Sequence, residues 1–522
     1  MSKITKEVLS NILENRHKNS LYKSLKDLPH PNSFKDMQKA IKRIEKAILN
    51  KEKIMLVGDY DVDGVVSTSI MIEFFKAISY PIEYIIPNRF THGYGLSTKI
   101  VSLLDHVSLV ITVDNGISSI KTADILKKKN IDLIITDHHT VPDILPQAYA
   151  IINPKQKDCT FNFKDICGAQ VAWYLCAAIK NHMNFNINMS IFLDLLSLAI
   201  IADMMPMHSL NFIMVKKGLE KIKESKRAAF ICINDIMKKE KFSSDDIGFF
   251  IAPKINCAGR MDDAKIALEF LLSSNINIAN EKFDLLNQLN IKRKKIQEDI
   301  TLSAKKEVNE EDSVIVVWGK DWHEGVIGIV ASTLCNSYKK PSFVFSINNG
   351  IAKGSARSNA SLDLHKMISY TKNLLLGFGG HKNAAGLSLE EKNLSLFKKE
   401  INEIVKKQNV NLHNFVKPIG EVEISNVDIH FIDIIESFEP YGIENSKPIF
   451  EIKDAKVLDE NLIGQEKNHL KMTLQVDNTI FEGLKFYTNE KLFKDSVNLI
   501  VSISKNEFRG ITKPQFLIQD FF

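Results

Sequence analysis

Three acids alternate with other residues in Gly58-Asp59-Tyr60-Asp61-Val62-Asp63-Gly64. A further acid stands in Val113-Asp114-Asn115-Gly116, another precedes paired imidazoles in Asp137-His138-His139, and Asp203 closes an apolar run over residues 198–202. Carboxylates brought close together raise one another's pKa unless a cation sits between them. Hard oxygen donors with an imidazole suit Mg²⁺ or Mn²⁺ better than Zn²⁺. Five or more such donors exceed what one ion needs, and two divalent ions ~3.5–4 Å apart form the usual clamp for phosphoryl hydrolysis. Each signal has an ordinary alternative: a solvated acidic turn for the first, a helix cap for Asp114, a surface turn for Asp137. The first also matches the opening of a calcium loop, but that loop needs a Glu at its twelfth position, and counting from Asp59 that residue is Ile70. The joint pattern favours a metal site.

The elements that would position these groups are legible in the apolar pattern. Strands are expected at 53–57, 82–87, 109–113, 131–136 and 149–153, with helices at 65–78, 96–104 and 117–129. Such alternation predicts an α/β fold with a parallel sheet covered on both faces. Ligands bind beyond the carboxyl ends of such strands, which is where these acids fall. Residues 165–300 read as mainly helical, with 193–202 apolar on all sides, and 281–307 as a long charged connecting helix. A second, smaller α/β unit begins at a strand over 313–318 and runs to about residue 406. Short strands follow at 419–424, 448–452, 470–475, 479–486 and 499–503, with a helix at 427–436. These suit a small barrel of the oligonucleotide-binding (OB) type, a generic antiparallel β domain being the alternative. The expected division is an N-terminal helical extension (1–50), a catalytic domain with its helical part (51–280), a connecting helix (281–310), a substrate domain (311–408) and the barrel (409–522).

Composition excludes little by itself. Of 522 residues, 44% are hydrophobic, enough for several cores, and the net charge of +5 does not identify a nucleic-acid binder, so any basic groove must come from local clustering. Six cysteines without a C-x-x-C pair read as buried reduced thiols of a cytosolic protein. The charged N-terminus lacks the apolar core of a signal peptide, and no run of 18 apolar residues is present, so a cytoplasmic protein without a membrane segment is expected.

The motifs GDYDVDG, VDNG and DHH, with the later Asp203, resemble those of the DHH phosphoesterase superfamily. The rest of the chain is similar to its RecJ branch, the single-strand-specific 5′→3′ exonucleases. The resemblance rests on Pro87-Asn88-Arg89-Phe90…Gly93-Tyr94-Gly95-Leu96, on 252–260 (APKINCAGR), on 322–331 (WHEGVIGIVA), on Gly354-Ser355-Ala356-Arg357-Ser358, on Gly379-Gly380-His381…Ala384-Ala385-Gly386, on Glu439-Pro440-Tyr441-Gly442…Asn445 and on 515–520. It extends from residue 54 to 522. Phe212 stands where the family usually has an arginine, and Val57 where smaller phosphodiesterases of the superfamily carry a histidine that the RecJ branch also lacks. Residues 1–50 match nothing.

The resemblance implies a DHH domain, a DHHA1-type domain and an OB-like barrel. It implies that Asp61, Asp63, Asp114, His138 and Asp203 hold two divalent metal ions, Mn²⁺ or Mg²⁺, with Asp114 bridging them. Asp59 is either a further ligand or a strand-end cap. His139 and Asp137 form the implied catalytic pair: His139 contacts the scissile phosphate or leaving oxygen, unless it makes only a structural hydrogen bond, and Asp137 orients His138 from behind. The nucleophile would be water activated by the metals. Arg89, Arg260 and Arg357 are the phosphate candidates, since guanidinium forks match phosphate oxygens. Gly354, Ser355 and Gly380 would allow close backbone approach, and Asn256, His381 and Tyr94 complete the site for the 5′-terminal nucleotide. Surface ion pairs and plain turns are the alternatives for these residues. A cleft between the two α/β domains would admit one strand but not a duplex, with Tyr60, Tyr94, Phe508 and Arg509 as stacking or backbone contacts. The implied activity is release of 5′-mononucleotides from single-stranded DNA in recombination and repair, by a monomer aided by a single-strand-binding protein and a helicase. The competing readings are a nano-RNA or cyclic-dinucleotide phosphodiesterase and a non-catalytic nucleic-acid-binding protein.

Overall fold

The computed structural model describes residues 3–18, 22–358, 362–407, 417–464, 467–486, 488, 491–508 and 510–522. The chain forms two compact units: Met1–Pro87, Gly95–Ala252 and Val416–Phe522 in one, Asn88–Tyr94 and Pro253–Phe415 in the other. The first contains five strands, β1 (Ile54–Val57), β2 (Glu83–Ile85), β3 (Leu109–Val113), β4 (Asp132–Thr136) and β5 (Ala150–Ile152), in the order β2-β1-β3-β4-β5. Every pairing is parallel. β1 is a continuous apolar run and β3 is apolar but for Thr112, because helices cover both faces, whereas the edge strand β2 is exposed. Met55, Val57, Val110 and Ile135 pack on one face with Leu96, Ile100 and Ile117. The segment expected as a helix at 96–104 is a 3₁₀ helix, Thr98–Leu104, and the helix expected from 117 begins at Ile120, because Gly116 takes a left-handed φ of 110° and the chain first turns.

Residues 1–50 divide between two cores. The helix Met37–Leu49 buries Ala40, Ile41, Ile44 and Ala47 beside the parallel sheet, and its Arg43, itself buried, bonds Asp132 and Glu52. The helix Lys6–His17 instead places Leu9 and Leu13, both fully buried, among Phe431, Ile432 and Ile435 at the barrel. Ile4 is stitched there by its amide to Glu421 O (2.7 Å) and by its carbonyl to Glu423 N (3.2 Å).

The barrel is closed: β11 (Ile449–Ile463), β12 (His469–Val476), β13 (Thr479–Phe486), β14 (Ser496–Phe508) and β15 (Ile511–Phe521) run in the order β11-β12-β13-β15-β14. A short parallel pairing, Gly483–Phe516 and Leu484–Leu517, joins β13 to β15, and the other pairings are antiparallel. Two strand expectations are corrected. Residues 419–424 make only isolated bridges, Val422 to Ile4 and Glu421 to Glu451, before a 3₁₀ turn at Ile424–Asn426. The last strand, β15, escapes the apolar pattern because Pro514 interrupts it.

In the second unit a 31-residue helix, Ile276–Lys306, starts five residues earlier than expected, capped by Asn275, whose side chain accepts from Ile278 N. Its Ile300 and Ala304 pack on Ile315, Val317 and Ile327. The sheet is β6 (Ile315–Lys320), β7 (Ser342–Asn348), β8 (Ile351–Arg357), β9 (Leu375–Gly380) and β10 (Ala384–Glu390), ordered β6-β7-β8-β10-β9. Only β6–β7 is parallel. Helix Leu394–Lys407 inserts Phe397 between Phe343 and Phe345 on the other face.

Candidate metal centre

The sheet ladder runs one residue past its strands, and the acids begin there. Gly58 N reaches Ile85 O (2.9 Å), Asp114 N reaches Thr136 O (3.0 Å) and Asp137 N reaches Ile152 O (3.1 Å). Asp61 caps the helix Val62–Ala77 by accepting from Gly64 N (3.0 Å), which puts Asp63 in its first turn. Asp203 closes the helix Leu193–Ala202 at its C-terminal end, where helix carbonyls disfavour a negative charge and so favour a cation beside it.

These residues converge. The ligating atoms of Asp59, Asp61 and Asp114 lie within 4.8 Å of one another, as do those of Asp63, His138 and Asp203, and those of Asp114, His138 and His139. Nε2 of His138 lies 3.3 Å from Asp114 Oδ1, 3.5 Å from Asp203 Oδ2 and 3.6 Å from Asp63 Oδ2. Asp59 is buried, at 2% exposure, beside Asp61 and Asp114.

Burial, then mutual repulsion, raises the carboxyls of Asp114 and Asp203 well above the usual range. Burial also raises Asp63, against the pull of His138. Burial lowers His138 to about 4, so its imidazole is neutral and able to donate a lone pair. The set fits a hard divalent cation. Asp203 Oδ2 is buried and accepts no hydrogen bond among the described residues, and the cluster offers carboxylate oxygens plus one neutral nitrogen.

Asp137 behaves differently from the expectation that it orients His138. Its Oδ1 accepts from His139 Nδ1 (2.7 Å) and from the amides of His138 (2.8 Å) and His139 (3.0 Å), while Oδ2 accepts from Ile117 N (2.9 Å). Nδ1 of His138 has no hydrogen-bond partner among the described residues. Burial would raise Asp137, but the bond and charge of His139 outweigh it and hold the carboxyl low. His139 itself is raised to about 9, burial being overcome by Asp137. The backbone after β4 curls round the carboxylate, so the partner is the second imidazole.

Several residues support the acids from behind. Asn115 Nδ2 donates to Val57 O (3.0 Å) and Val113 O (2.8 Å), and its Oδ1 accepts from Leu96 N (3.0 Å). It braces Asp114, whose φ of 62° is left-handed, a conformation Asp tolerates better than most residues. Asn153 Nδ2 holds His139 O (3.0 Å). Gly64 lies inside the helix, where a Cβ would come within 2.6 Å of the Asp59 backbone. Gly168 also touches the cluster.

The second unit holds the remaining candidates. Arg357 Nη1 donates to Ser355 Oγ (3.0 Å) and Ala356 O (2.8 Å), and Gly328, in the first turn of the helix Ile327–Tyr338, leaves room for both side chains. Burial, with the like charge of Arg89, lowers the Arg357 guanidinium. The Arg89 loop is anchored by Asn88, whose Nδ2 donates to Asp262 O (3.2 Å), and by Phe90 edge-on to His323. Arg260 Nη1 reaches Gly325 O (3.4 Å). Asn256 lies half-buried on the helix Ala252–Met261, and Tyr94 is exposed. Gly380 adopts a φ of 141° beside Ala385, and His381 N bonds Ala384 O (2.8 Å). At Gly354 a Cβ would lie 2.5 Å from Cδ1 of Phe345, so this glycine also makes room for the core. Arg509 and the side chain of Phe508 lie outside the described residues.

Three family models match the chain: the DHH family N-terminal domain over 53–200, the DHHA1 domain over 311–407 and the RecJ OB domain over 420–520. The chain is 33% identical to the single-stranded-DNA-specific exonuclease RecJ of Haemophilus influenzae, over 95% of this chain and 92% of that one. It is 30% identical to the corresponding Escherichia coli protein, over 97% and 94%. Among solved structures, RecJ of Thermus thermophilus in complex with Mn²⁺ superposes with a TM-score of 0.86 at 25% identity, covering 99% of this chain and 76% of that one.

Proposed function

Because the chain belongs to the RecJ family of single-stranded-DNA-specific exonucleases, we propose that it is a metal-dependent exonuclease that degrades single-stranded DNA from the 5′ end and releases 5′-mononucleotides. The observation that carries this reading is the convergence of Asp59, Asp61, Asp63, Asp114, His138, His139 and Asp203 beyond the carboxyl ends of one parallel sheet. Asp61, Asp63, Asp114, His138 and Asp203, with Asp59 as a further donor, are assigned to two divalent ions, Mn²⁺ or Mg²⁺. Such ions would supply charge neutralisation at the phosphoryl oxygens and lower the pKa of water.

The protein's own groups do the rest. Neutral His138 and the clustered carboxylates would hold the cations. His139, held through Nδ1 by Asp137, would direct its other ring nitrogen toward the scissile phosphate or the leaving oxygen, where negative charge develops. Arg89, Arg260 and Arg357 are assigned to the strand's phosphates, with Ser355, Asn256, Gly380, His381 and Tyr94 around the 5′-terminal nucleotide.

Incubation with Mn²⁺ and a 5′-labelled single strand is expected to release labelled mononucleotide first, with little turnover of a duplex. Label that persists while the 3′ end shortens refutes the polarity. Asp114→Ala is expected to abolish turnover, and full activity of that variant refutes the site.

No helix among the described residues is long and apolar enough to cross a membrane. We read the enzyme as a cytoplasmic monomer acting in recombination and repair. A single-strand-binding protein and a helicase are expected as partners from the family resemblance alone.

A further inference from the structure

Gly168 begins the helix Gly168–His182, and it touches two acids that are 51 residues apart in sequence. Its amide donates to Asp63 Oδ2 (2.6 Å), and the next amide, of Ala169, donates to Asp63 Oδ1 (2.8 Å). On its other side, a Cβ at residue 168 would lie 2.5 Å from Cβ and 2.6 Å from Cγ of Asp114, closer than real Cβ atoms come. The φ of Gly168 is not positive, so its backbone does not call for glycine and the clearance does.

Neither neighbour is free to retreat. Asp114 is fixed through its amide to Thr136 O and through Asn115, which is tied to β1, to Val113 and to Leu96. The helix start is fixed as well. Cys167 N donates to Gln170 Oε1 (3.0 Å), Gln170 Nε2 donates to Asn211 Oδ1 (3.0 Å), and Asn211 Nδ2 donates to Asp165 O (2.8 Å) and Pro206 O (3.0 Å). Added volume at residue 168 must therefore displace a carboxylate.

We infer that Gly168 is a positioning residue for the metal pair: its amide and that of Ala169 aim Asp63, and its missing side chain sets how closely Asp114 stands beside it. The inference rests on the metal site proposed above. Dense interiors transmit such a displacement rather than absorb it, and partners behind metal ligands commonly tune affinity by about 10–100-fold.

The test is Mn²⁺ binding to the full chain, read by electron paramagnetic resonance, with steady-state kinetics and metal-free thermal melts beside it. Gly168→Ala is expected to weaken Mn²⁺ binding by about tenfold or more and to lower kcat with KM for DNA unchanged. Ala169→Pro removes the second donor to Asp63 in a helix turn that tolerates proline, and it is expected to weaken binding even if Gly168→Ala does not fold. Gly319→Ala, which would press on the Trp322 ring in the other unit, is the control expected to cost stability while leaving Mn²⁺ affinity intact. Wild-type affinity in both Gly168→Ala and Ala169→Pro, or losses no larger than in Gly319→Ala, overturns the inference alone. Failure of the wild-type chain to bind Mn²⁺ overturns the metal site and the inference with it.

Discussion

His139 Nδ1 donates to Asp137 Oδ1 across 2.7 Å, and the remaining capacity of that carboxylate is taken up by backbone amides. Asp137 is thus hydrogen-bonded on both oxygens by the protein and stabilises positive charge on the second imidazole of the pair, leaving the first to the cluster of Asp63, Asp114 and Asp203. The two adjacent histidines are driven in opposite directions, His138 down to about 4 and His139 up to about 9.

Asp137→Asn is expected to let His139 fall toward its ordinary pKa and to reduce kcat by about 10–100-fold, with Mn²⁺ affinity unchanged. Histidine NMR titration and a metal-binding isotherm measure the two effects. An equal loss of Mn²⁺ affinity would show that Asp137 acts through His138 after all.

Metal binding and acidity are expected to oppose one another. Asp63, Asp114 and Asp203 have folded-state pKa values raised above the unfolded ones. Such groups contribute stability below the unfolded carboxyl range and lose it as pH rises through the raised values. The metal-free fold therefore carries a penalty at neutral pH that a cation removes. The gain in Tm on adding Mn²⁺ should grow from pH 5 to pH 8, as scanning fluorimetry can measure. A gain independent of pH would place the cation elsewhere.

Asn115→Ala would strand two buried carbonyls and one amide. At about 1–3 kcal/mol for each unsatisfied group, partly relieved by relaxation, a loss of about 2–4 kcal/mol is expected in urea unfolding.

Arg357→Lys keeps the charge but loses the planar fork held by Ser355 Oγ and Ala356 O. KM for a 5′-phosphorylated single strand should rise about tenfold, the loss of one bidentate contact, with kcat less affected. Unchanged KM would remove Arg357 from the strand-binding set.

Leu13→Ala should destabilise the barrel by about 2–5 kcal/mol, because Leu13 is fully buried against it. Thermal unfolding followed through a probe in residues 449–521 would detect this. No change would mean that the N-terminal helix contributes nothing to that core.

Much of this was legible in the linear chain because it rests on local periodicity. Apolar runs separated by helical spacing announce a parallel sheet, and the chain direction then places Asp59, Asp114 and Asp137 at the same edge of it. The acids' own repulsion argues for a cation, and the ordered motifs that follow point to the family. The members of the barrel were less legible: β15 hides behind Pro514, and 419–424 looks like a strand but pairs through single residues.

Tertiary structure alone decided the remainder, because these features depend on contacts between segments far apart in sequence. Nothing in the local pattern says that Leu9 and Leu13 belong to a core built 400 residues later. Nor does it say that Asp137 serves His139 and not His138, or that Gly354 makes room for Phe345. The two amides that hold Asp63 belong to Gly168 and Ala169, and the clearance beside Asp114 comes from Gly168, far from either acid in sequence. Side-chain types and their order suffice to name the chemistry, but the spacing between ligands is set by backbone packing that periodicity does not encode.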